Sequence, residues 1–383
     1  MVTIQKQGTS QILFENSEES SLDQSLTSLL GTLEQPPSKL MVFSQDNIWR
    51  QHGKSLQDCL DGLGVSYDLI LLEDREACKT LQAFGDSLEQ MVAKGFDRSC
   101  AILAFGGGTV GDSSGYVAAS FMRGIPWIYI PTTLLAIQDA SVGGKVGINL
   151  AHGKNLAGAF WAPRGVLIGT RFLSTLPDRE FRAGCMELIK HGILEGPELL
   201  EEIMSFPNCY QPPLETWEPV LFRGVQTKIK VVDQDFREMG LRKTLNLGHT
   251  LAHAIEKSTH YRLHHGEAVG LGLIYCTLLA EELKPTIEHS TDDTKRLPSD
   301  HDWKPIHRWI LDRLPMELVQ HELRCLNQLS DLLNLTRFDK KSKAGSTTWI
   351  LPMRPGRIKM MDQIPFSNLE RALARWARVL DVS

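Results

Sequence analysis

Five of the twelve histidines of this 383-residue chain fall between His249 and His265, in L-N-L-G-H-T-L-A-H-A-I-E-K-S-T-H-Y-R-L-H-H-G-E. Arg242, Asn246, His249 and His253 stand at offsets of four, three and four, which puts all four on one face if the segment is a single helix. Leu245, Leu251, Ala252 and Ile255 supply its apolar side. Two histidines one turn apart, with a third at His265 before Gly266-Glu267, have the spacing of metal ligands. The plainer alternative is a chance i,i+4 pair on a surface helix. Thr250 follows His249, so the glutamate of the H-E-x-x-H protease pattern is missing and a remaining ligand must come from elsewhere.

F-R-A-G-C-M-E-L-I-K-H-G, residues 181–192, places Glu187 and Lys190 one turn apart on an otherwise apolar helix. A surface ion pair is the ordinary explanation. The functional one makes Glu187 the missing ligand, one carboxylate with two histidines and an open position, the pattern of catalytic zinc. Upstream, G-G-G-T-V-G-D (Gly106 to Asp112) lies between an apolar run ending at Phe105 and a predicted helix. Glycines there let backbone N–H groups approach a pyrophosphate at a helix N-terminus. A tight turn needing positive φ explains them equally well. Pro131-Thr132-Thr133 ends the next apolar run. D-A-S-V-G-G-K-V-G-I-N (139–149) and G-K-N (153–155) bring Lys145, Lys154 and Asn155 beside glycines, a combination suited to an anion.

These residues need elements to position them. Residues 39–43, 67–72, 100–105 and 126–130 read as buried strands alternating with helical stretches such as 78–94, which implies parallel strands and an α/β layer. Beyond about Leu173 the pattern turns to helical periods at 178–195, 217–233, 241–257, 266–283 and 316–334. Residues 284–304 read as a polar loop, and 347–351 with 357–361 as a hairpin before a last helix. The expected organisation is a Rossmann-like α/β nucleotide-binding domain over 1–172 and a mostly α-helical metal and substrate domain over 173–383.

Composition is that of a globular protein, 42% hydrophobic and 23% charged with net charge −5, giving no general attraction to nucleic acid or anionic membranes. The first residues lack the basic and apolar regions of a secretory signal, and no run has the length of a membrane span. Seven scattered cysteines without C-x-x-C spacing fit reduced thiols, so the expectation is a cytoplasmic protein.

Taken in order, G-G-G-T-V-G-D-S-S-G, F-M-R-G, P-T-T-L-L-A, D-A-S-V-G-G-K, G-K-N-L-A-G-A-F, T-L-P-D-R-E, M-E-L-I-K-H-G, E-M-G-L-R-K-T-L-N-L-G-H-T-L-A-H-A-I-E and H-G-E-A-V resemble the 3-dehydroquinate synthase family across roughly residues 40 to 360. The resemblance implies an active site in a cleft between two domains, with NAD and Zn2+ as cofactors and Co2+ as the alternative metal. It makes Glu187, His249 and His265 the ligands and moves His253 to the substrate phosphate. NAD would meet Glu76, Lys79, Gly107, Gly108, Asp112, Thr132, Thr133, Lys154 and the stretch Phe172 to Thr175. A phosphorylated seven-carbon keto acid would meet Asp139, Lys145, Asn155, Lys190, Lys228, Arg242 and Asn246, with Glu238 as proton acceptor. Arg123 would reach the phosphate site of a second copy in a homodimer. One of Lys340 and Lys341 would face the substrate.

The implied reaction is transient oxidation, phosphate elimination, re-reduction and aldol closure. At the end of the first strand, where the family often has an Asp for the adenosine ribose, stands Gln45-Asp46-Asn47; the contact passes to Asp46 or is lost. The rivals are another sugar-phosphate cyclase, of 2-deoxy-scyllo-inosose or valiolone type, a metal-dependent polyol dehydrogenase, and a non-catalytic descendant.

Overall fold

The computed structural model describes residues 3–7, 10–15, 21–205, 214–288, 301–337 and 347–382. Two compact units form, Met1–Pro177 with Gln211–Arg237, and Asp178–Tyr210 with Glu238–Ser383. The chain therefore passes between them three times, where the sequence suggested a single boundary after 172. The reason lies in the helix over 217–233: its periodicity shows that it is amphipathic, not which core it joins.

The first unit contains strands β1 (Thr3–Gln7), β2 (Ser10–Phe14), β3 (Leu40–Gln45), β4 (Tyr67–Leu72), β5 (Ala101–Gly106), β6 (Trp127–Pro131), β7 (Lys145–Leu150), β8 (Gly153–Phe160) and β9 (Gly165–Ile168). Strands β7 and β8 pair as a separate antiparallel hairpin; the other seven form one sheet in the order β1-β2-β9-β6-β5-β3-β4. Within that sheet every pairing is parallel except β1 with β2. All residues of β3, β5 and β6 are buried, as expected for apolar runs covered on both faces. The helices are α1 (Leu22–Leu30), α2 (Asp46–Gly62), α3 (Leu81–Ala93) and α4 (Gly108–Ser120). The chain leaves for α5 (Asp178–Glu195) and α6 (Pro197–Ser205) of the second unit, then returns with α7 (Leu214–Gln234). Helix α7 is fastened there by Gln138 Nε2 donating to Leu221 O at 3.0 Å and Thr170 Oγ1 donating to Glu218 Oε1 at 2.6 Å.

The second unit adds α8 (His249–Ser258), α9 (His265–Glu288), α10 (Lys304–Leu311), α11 (Met316–Arg324), α12 (Ser330–Arg337) and α13 (Phe366–Leu380), with a hairpin of β10 (Trp349–Arg354) and β11 (Arg357–Met361). The four strands and the hairpin expected from the sequence are present, and α5 has the expected bounds. The expected helix over 316–334 is two helices, and the polar stretch from 284 begins as the end of α9. No helix among the described residues is long and apolar enough to cross a membrane.

The single helix over 241–257 is corrected. Leu241–Asn246 is a 3-10 turn, and the chain then breaks at Gly248, whose φ is +83°. A Cβ on Gly272 of α9 would stand 2.0 Å from Gly248 O, so the two backbones touch at this break. Packing against α9 has overridden the local helical period, and α8 starts afresh at His249.

Candidate active site

In the first unit the three glycines from the last residue of β5 to the first of α4 do not serve a positive-φ turn; Gly107, the N-cap of α4, has φ −73°. They serve closeness. A Cβ on Gly106 would meet Val110 at 2.6 Å, one on Gly107 would meet Thr133 at 3.2 Å, and one on Gly108 would meet Ala140 at 3.2 Å. The N-terminus of α4 thus opens beside the end of β6, where Thr132 N donates to Gly106 O at 3.0 Å. The Thr132 hydroxyl is buried and has no hydrogen-bond partner among the described residues. Thr133 Oγ1 accepts from Ala136 N at 3.1 Å.

Beside the glycine turn lies a charged network. Lys79, 3% exposed, donates to Asp112 Oδ2 and to Asn155 Oδ1, each at 2.6 Å. Asn149 Nδ2 donates to Glu76 Oε2 at 2.6 Å, and Lys154 Nζ lies 3.1 Å from Glu76 Oε1. Asn155 N donates to Asn149 Oδ1 at 3.0 Å, which joins the two halves. Burial pushes the Asp112 carboxyl up against the pull of Lys79. Burial acts the same way on Glu76, but Lys79 and Lys154 outweigh it and hold that carboxyl below its ordinary value. Asn155, assigned by resemblance to the substrate, is bonded here to Lys79, assigned to the nucleotide, and to Asn149.

Asp139 adds its charge to that network, helping to raise the Asp112 carboxyl. Asp139 sits in a π-helical turn (Ala136–Ala140), a geometry frequent at functional sites. Lys228 of α7 donates to its carboxylate at 2.5 Å and also to its backbone carbonyl. Lys145 opens β7 with an exposed side chain. Phe172 packs on Phe105 with ring centroids 5.2 Å apart, and Thr175 Oγ1 lies 2.7 Å from His52 Nε2, a neighbour the sequence did not suggest. Arg123 is exposed on a turn where Met122, Arg123 and Gly124 have φ of 50°, 69° and 113°.

In the second unit Glu187, His249 and His265 converge, with one donor atom from each within 4.8 Å of the others. Glu187 is fully buried and pairs with Lys190, itself 1% exposed. His249 Nε2 is 3.4 Å and His265 Nε2 3.6 Å from Glu187 Oε1. The other nitrogen of each ring is held from behind. His249 Nδ1 lies 3.1 Å from Leu247 O, an acceptor, so Nδ1 carries the proton and Nε2 offers its lone pair toward Glu187. His265 Nδ1 lies 3.4 Å from Glu256 Oε2. Burial, and then the Lys190 charge, pull His249 down to about 3. Burial also acts to lower His265, but Glu256 and Glu187 outweigh it and push that ring up to about 10.

Glycine makes this convergence possible. A Cβ on Gly266 would stand 1.9 Å from Ala183 O of α5, and one on Gly270 would stand 2.7 Å from Met186 Sδ. Helices α5 and α9 therefore touch backbone to backbone one turn before Glu187. Arg179 grips Glu267 through Nε at 2.6 Å and Nη2 at 2.8 Å, and Glu267 Oε2 accepts from His264 N at 2.7 Å, fixing the entry to α9. His253 is exposed, its ring centroid 5.7 Å from that of His249. Arg242 is buried, and Asn246 Nδ2 donates to Glu238 Oε1 at 2.7 Å. Lys340 and Lys341 lie outside the described residues. Glu256, Arg179 and the α9 glycines were missed; G-x-x-x-G-x-G inside an apolar helix was the readable sign of close packing.

A family model described as 3-dehydroquinate synthase N-terminal matches residues 69–183, and one described as 3-dehydroquinate synthase C-terminal matches residues 184–318. A 3-dehydroquinate synthase of Acaryochloris marina (strain MBIC 11017) is 40% identical over 341 residues, 88% of this chain and 87% of that protein. The chain belongs to the 3-dehydroquinate synthase family.

Solved relatives of the family fold agree with the architecture. The crystal structure of 2-deoxy-scyllo-inosose synthase complexed with carbaglucose-6-phosphate, NAD+ and Co2+ aligns with TM-score 0.77 at 22% identity, covering 98% of this chain and 99% of that one. The 2-epi-5-epi-valiolone synthase of Streptomyces hygroscopicus subsp. jinggangensis 5008, with NAD+ and Zn2+ bound, aligns with TM-score 0.72 at 22% identity, covering 99% of each. The 3-dehydroquinate synthase family thus shares its fold with these cyclases.

Proposed function

We propose that this chain converts 3-deoxy-D-arabino-heptulosonate 7-phosphate to 3-dehydroquinate and phosphate on the residues described above. The observation that carries the assignment is the convergence of Glu187, His249 and His265, the first two buried and the third half-buried, one carboxylate and two oriented imidazoles, in a chain of this family. That donor set suits Zn2+ or Co2+, and the carbonyl and carboxylate behind the two rings are the supports such ligands use. A nicotinamide dinucleotide fits the first unit through the N-terminus of α4 and the unpartnered Thr132 hydroxyl. Bound there, the dinucleotide supplies reversible hydride transfer and the metal supplies polarisation of a substrate hydroxyl.

The chain's own residues take the remaining work. Arg242, with its planar fork, binds the substrate carboxylate. His253, Asn246 and Lys145 meet the phosphate, and Asn155 joins them or stays with the nucleotide network. Glu238, held by Asn246, takes a proton, and Lys190 stays beside Glu187 to balance its charge. Lys228 keeps Asp139 in place. Phe172 and Thr175, with Glu76, Lys79, Asp112 and Lys154, line the nucleotide. Arg123, exposed on its strained turn, serves a second copy of the chain in a homodimer. The enzyme works in the cytoplasm, consistent with the absence of a disulfide among the described residues.

The test is phosphate release from the seven-carbon keto-acid phosphate with NAD+ and Zn2+. No release, with turnover of heptulose 7-phosphate instead, would assign the chain to another cyclase. Steady accumulation of NADH on a simple polyol would make it a dehydrogenase, because the cyclase regenerates its nucleotide in each turnover. Glu187→Ala should lose bound metal and turnover together; full activity in that variant refutes the metal assignment.

A further inference from the structure

The second unit carries a groove between α9, α10 and α13 that no step of the proposed reaction uses. Its volume is about 380 Å³, the size of a small-molecule site. Three cations line it, Lys304, Arg375 and Arg378, together with Glu281 and His307. Glu281 lies sixteen residues along α9 from His265, roughly 24 Å of helix, so the groove stands away from the Glu187 cluster.

One of the three cations is committed: Arg375 Nη2 lies 2.5 Å from Glu281 Oε2. Arg378 Nε donates to Ala374 O of its own helix at 3.3 Å, and the Lys304 ammonium is exposed at the start of α10. Neither side chain has a carboxylate partner among the described residues. Two uncommitted positive charges in one groove favour an anion of matching charge. His307 sets a further requirement. Its ring is 7% exposed, and Nε2 lies 2.6 Å from Thr277 Oγ1. The Thr277 hydroxyl donates to Ile274 O at 2.7 Å, which uses its only proton. His307 Nε2 must therefore carry the ring proton and donate, which leaves the lone pair on Nδ1. Burial pulls the ring down to about 4 against Glu281, with Arg375 assisting and Asp302 opposing, so the ring is neutral at ordinary pH. Nδ1 has no partner among the described residues and is not sealed from solvent, which makes it the open edge of the ring on the groove. An acceptor so placed calls for a donor.

We propose that this groove binds a small dicarboxylate that carries a hydroxyl group. The carboxylates pair with Lys304 and Arg378, and the hydroxyl donates to His307 Nδ1. Sulfate matches the charge but has no proton to give the ring. Calorimetric titration of the full chain with L-malate and with succinate, which lacks only the hydroxyl, tests this without turnover. Malate is expected to bind about tenfold or more tighter than succinate, and sulfate weaker still. No malate binding at about 10 mM, equal binding of malate and succinate, or displacement of malate by equimolar sulfate overturns the proposal. Arg378→Ala, at an exposed position, should weaken malate about tenfold, while Arg242→Ala leaves it within about twofold. The reverse pattern places malate among the residues of the proposed reaction and overturns the groove alone. His307→Phe, provided it melts like the parent, should bring malate and succinate to equal affinity; a retained preference refutes the hydroxyl contact.

Discussion

At the strand ends of the first unit, six polar side chains share their hydrogen bonds: Glu76, Lys79, Asp112, Asn149, Lys154 and Asn155. Several are half-exposed, and most touch more than one neighbour. In the second unit Glu187 meets Lys190 and two imidazoles with no solvent exposure of its own. Both regions depend on glycine, but differently. At Gly107 and Gly108 an added methyl would meet a side chain; at Gly266 and Gly272 it would meet a backbone carbonyl. At 3.2 Å the neighbour in the first unit need give only a few tenths of an ångström, whereas a packed backbone carbonyl at 2.0 Å or less cannot give enough. The polar network of the first unit is tolerant by construction, and the cluster of Glu187, His249 and His265 is not.

Substitution of glycine should separate the two most widely. Gly266→Ala places a methyl 1.9 Å from Ala183 O, so α5 and α9 must part. We expect a loss of about 3 kcal/mol in urea unfolding and loss of metal binding. Gly107→Ala, 3.2 Å from a threonine methyl, should cost less than about 1.5 kcal/mol. Comparable losses at the two sites would erase the contrast.

Next in size is Glu256→Gln, which weakens the acceptor behind His265. Metal affinity should fall about 10–100-fold by competition with a chelator, while NADH affinity stays unchanged. A loss confined to NADH would contradict the division of labour between the units.

The smallest effect belongs to Glu76. Its carboxyl is held low by Lys79 and Lys154, so its contribution to stability is present above the ordinary carboxylate value of 4.5 and fades as pH falls below it. Because the pair with Lys154 is half-exposed, that contribution should be under about 1 kcal/mol. Melting curves of Glu76→Gln and the parent should differ slightly at neutral pH and converge in acid. A gap that widens in acid would give the wrong sign.

Much of this was readable from the sequence where one physical rule acted alone. Runs 39–43, 100–105 and 126–130 announced central strands because burial on both faces admits only apolar residues. Glu187 and the histidines were visible because their chemistry is unusual on apolar helices. Strand β9, four residues long, was hidden by its brevity. The break at Gly248 was hidden because the offsets 242, 246, 249 and 253 fit a helix, and only contact with Gly272 shows why the helix stops. Glu256 and Asn149 gave no sign, since a side chain that steadies another becomes recognisable only when both are placed.

The excursion of α7 into the first unit bears on how such a protein can be cut and recombined. A gene fragment ending at 177 would carry Asp139 without Lys228, Thr170 without Glu218, and Gln138 without the carbonyl of Leu221. The remainder would carry a surplus helix with no sheet to lie on. Neither half is a transferable cassette, so exchange between relatives should succeed only where residues 1–177 and 211–237 travel together.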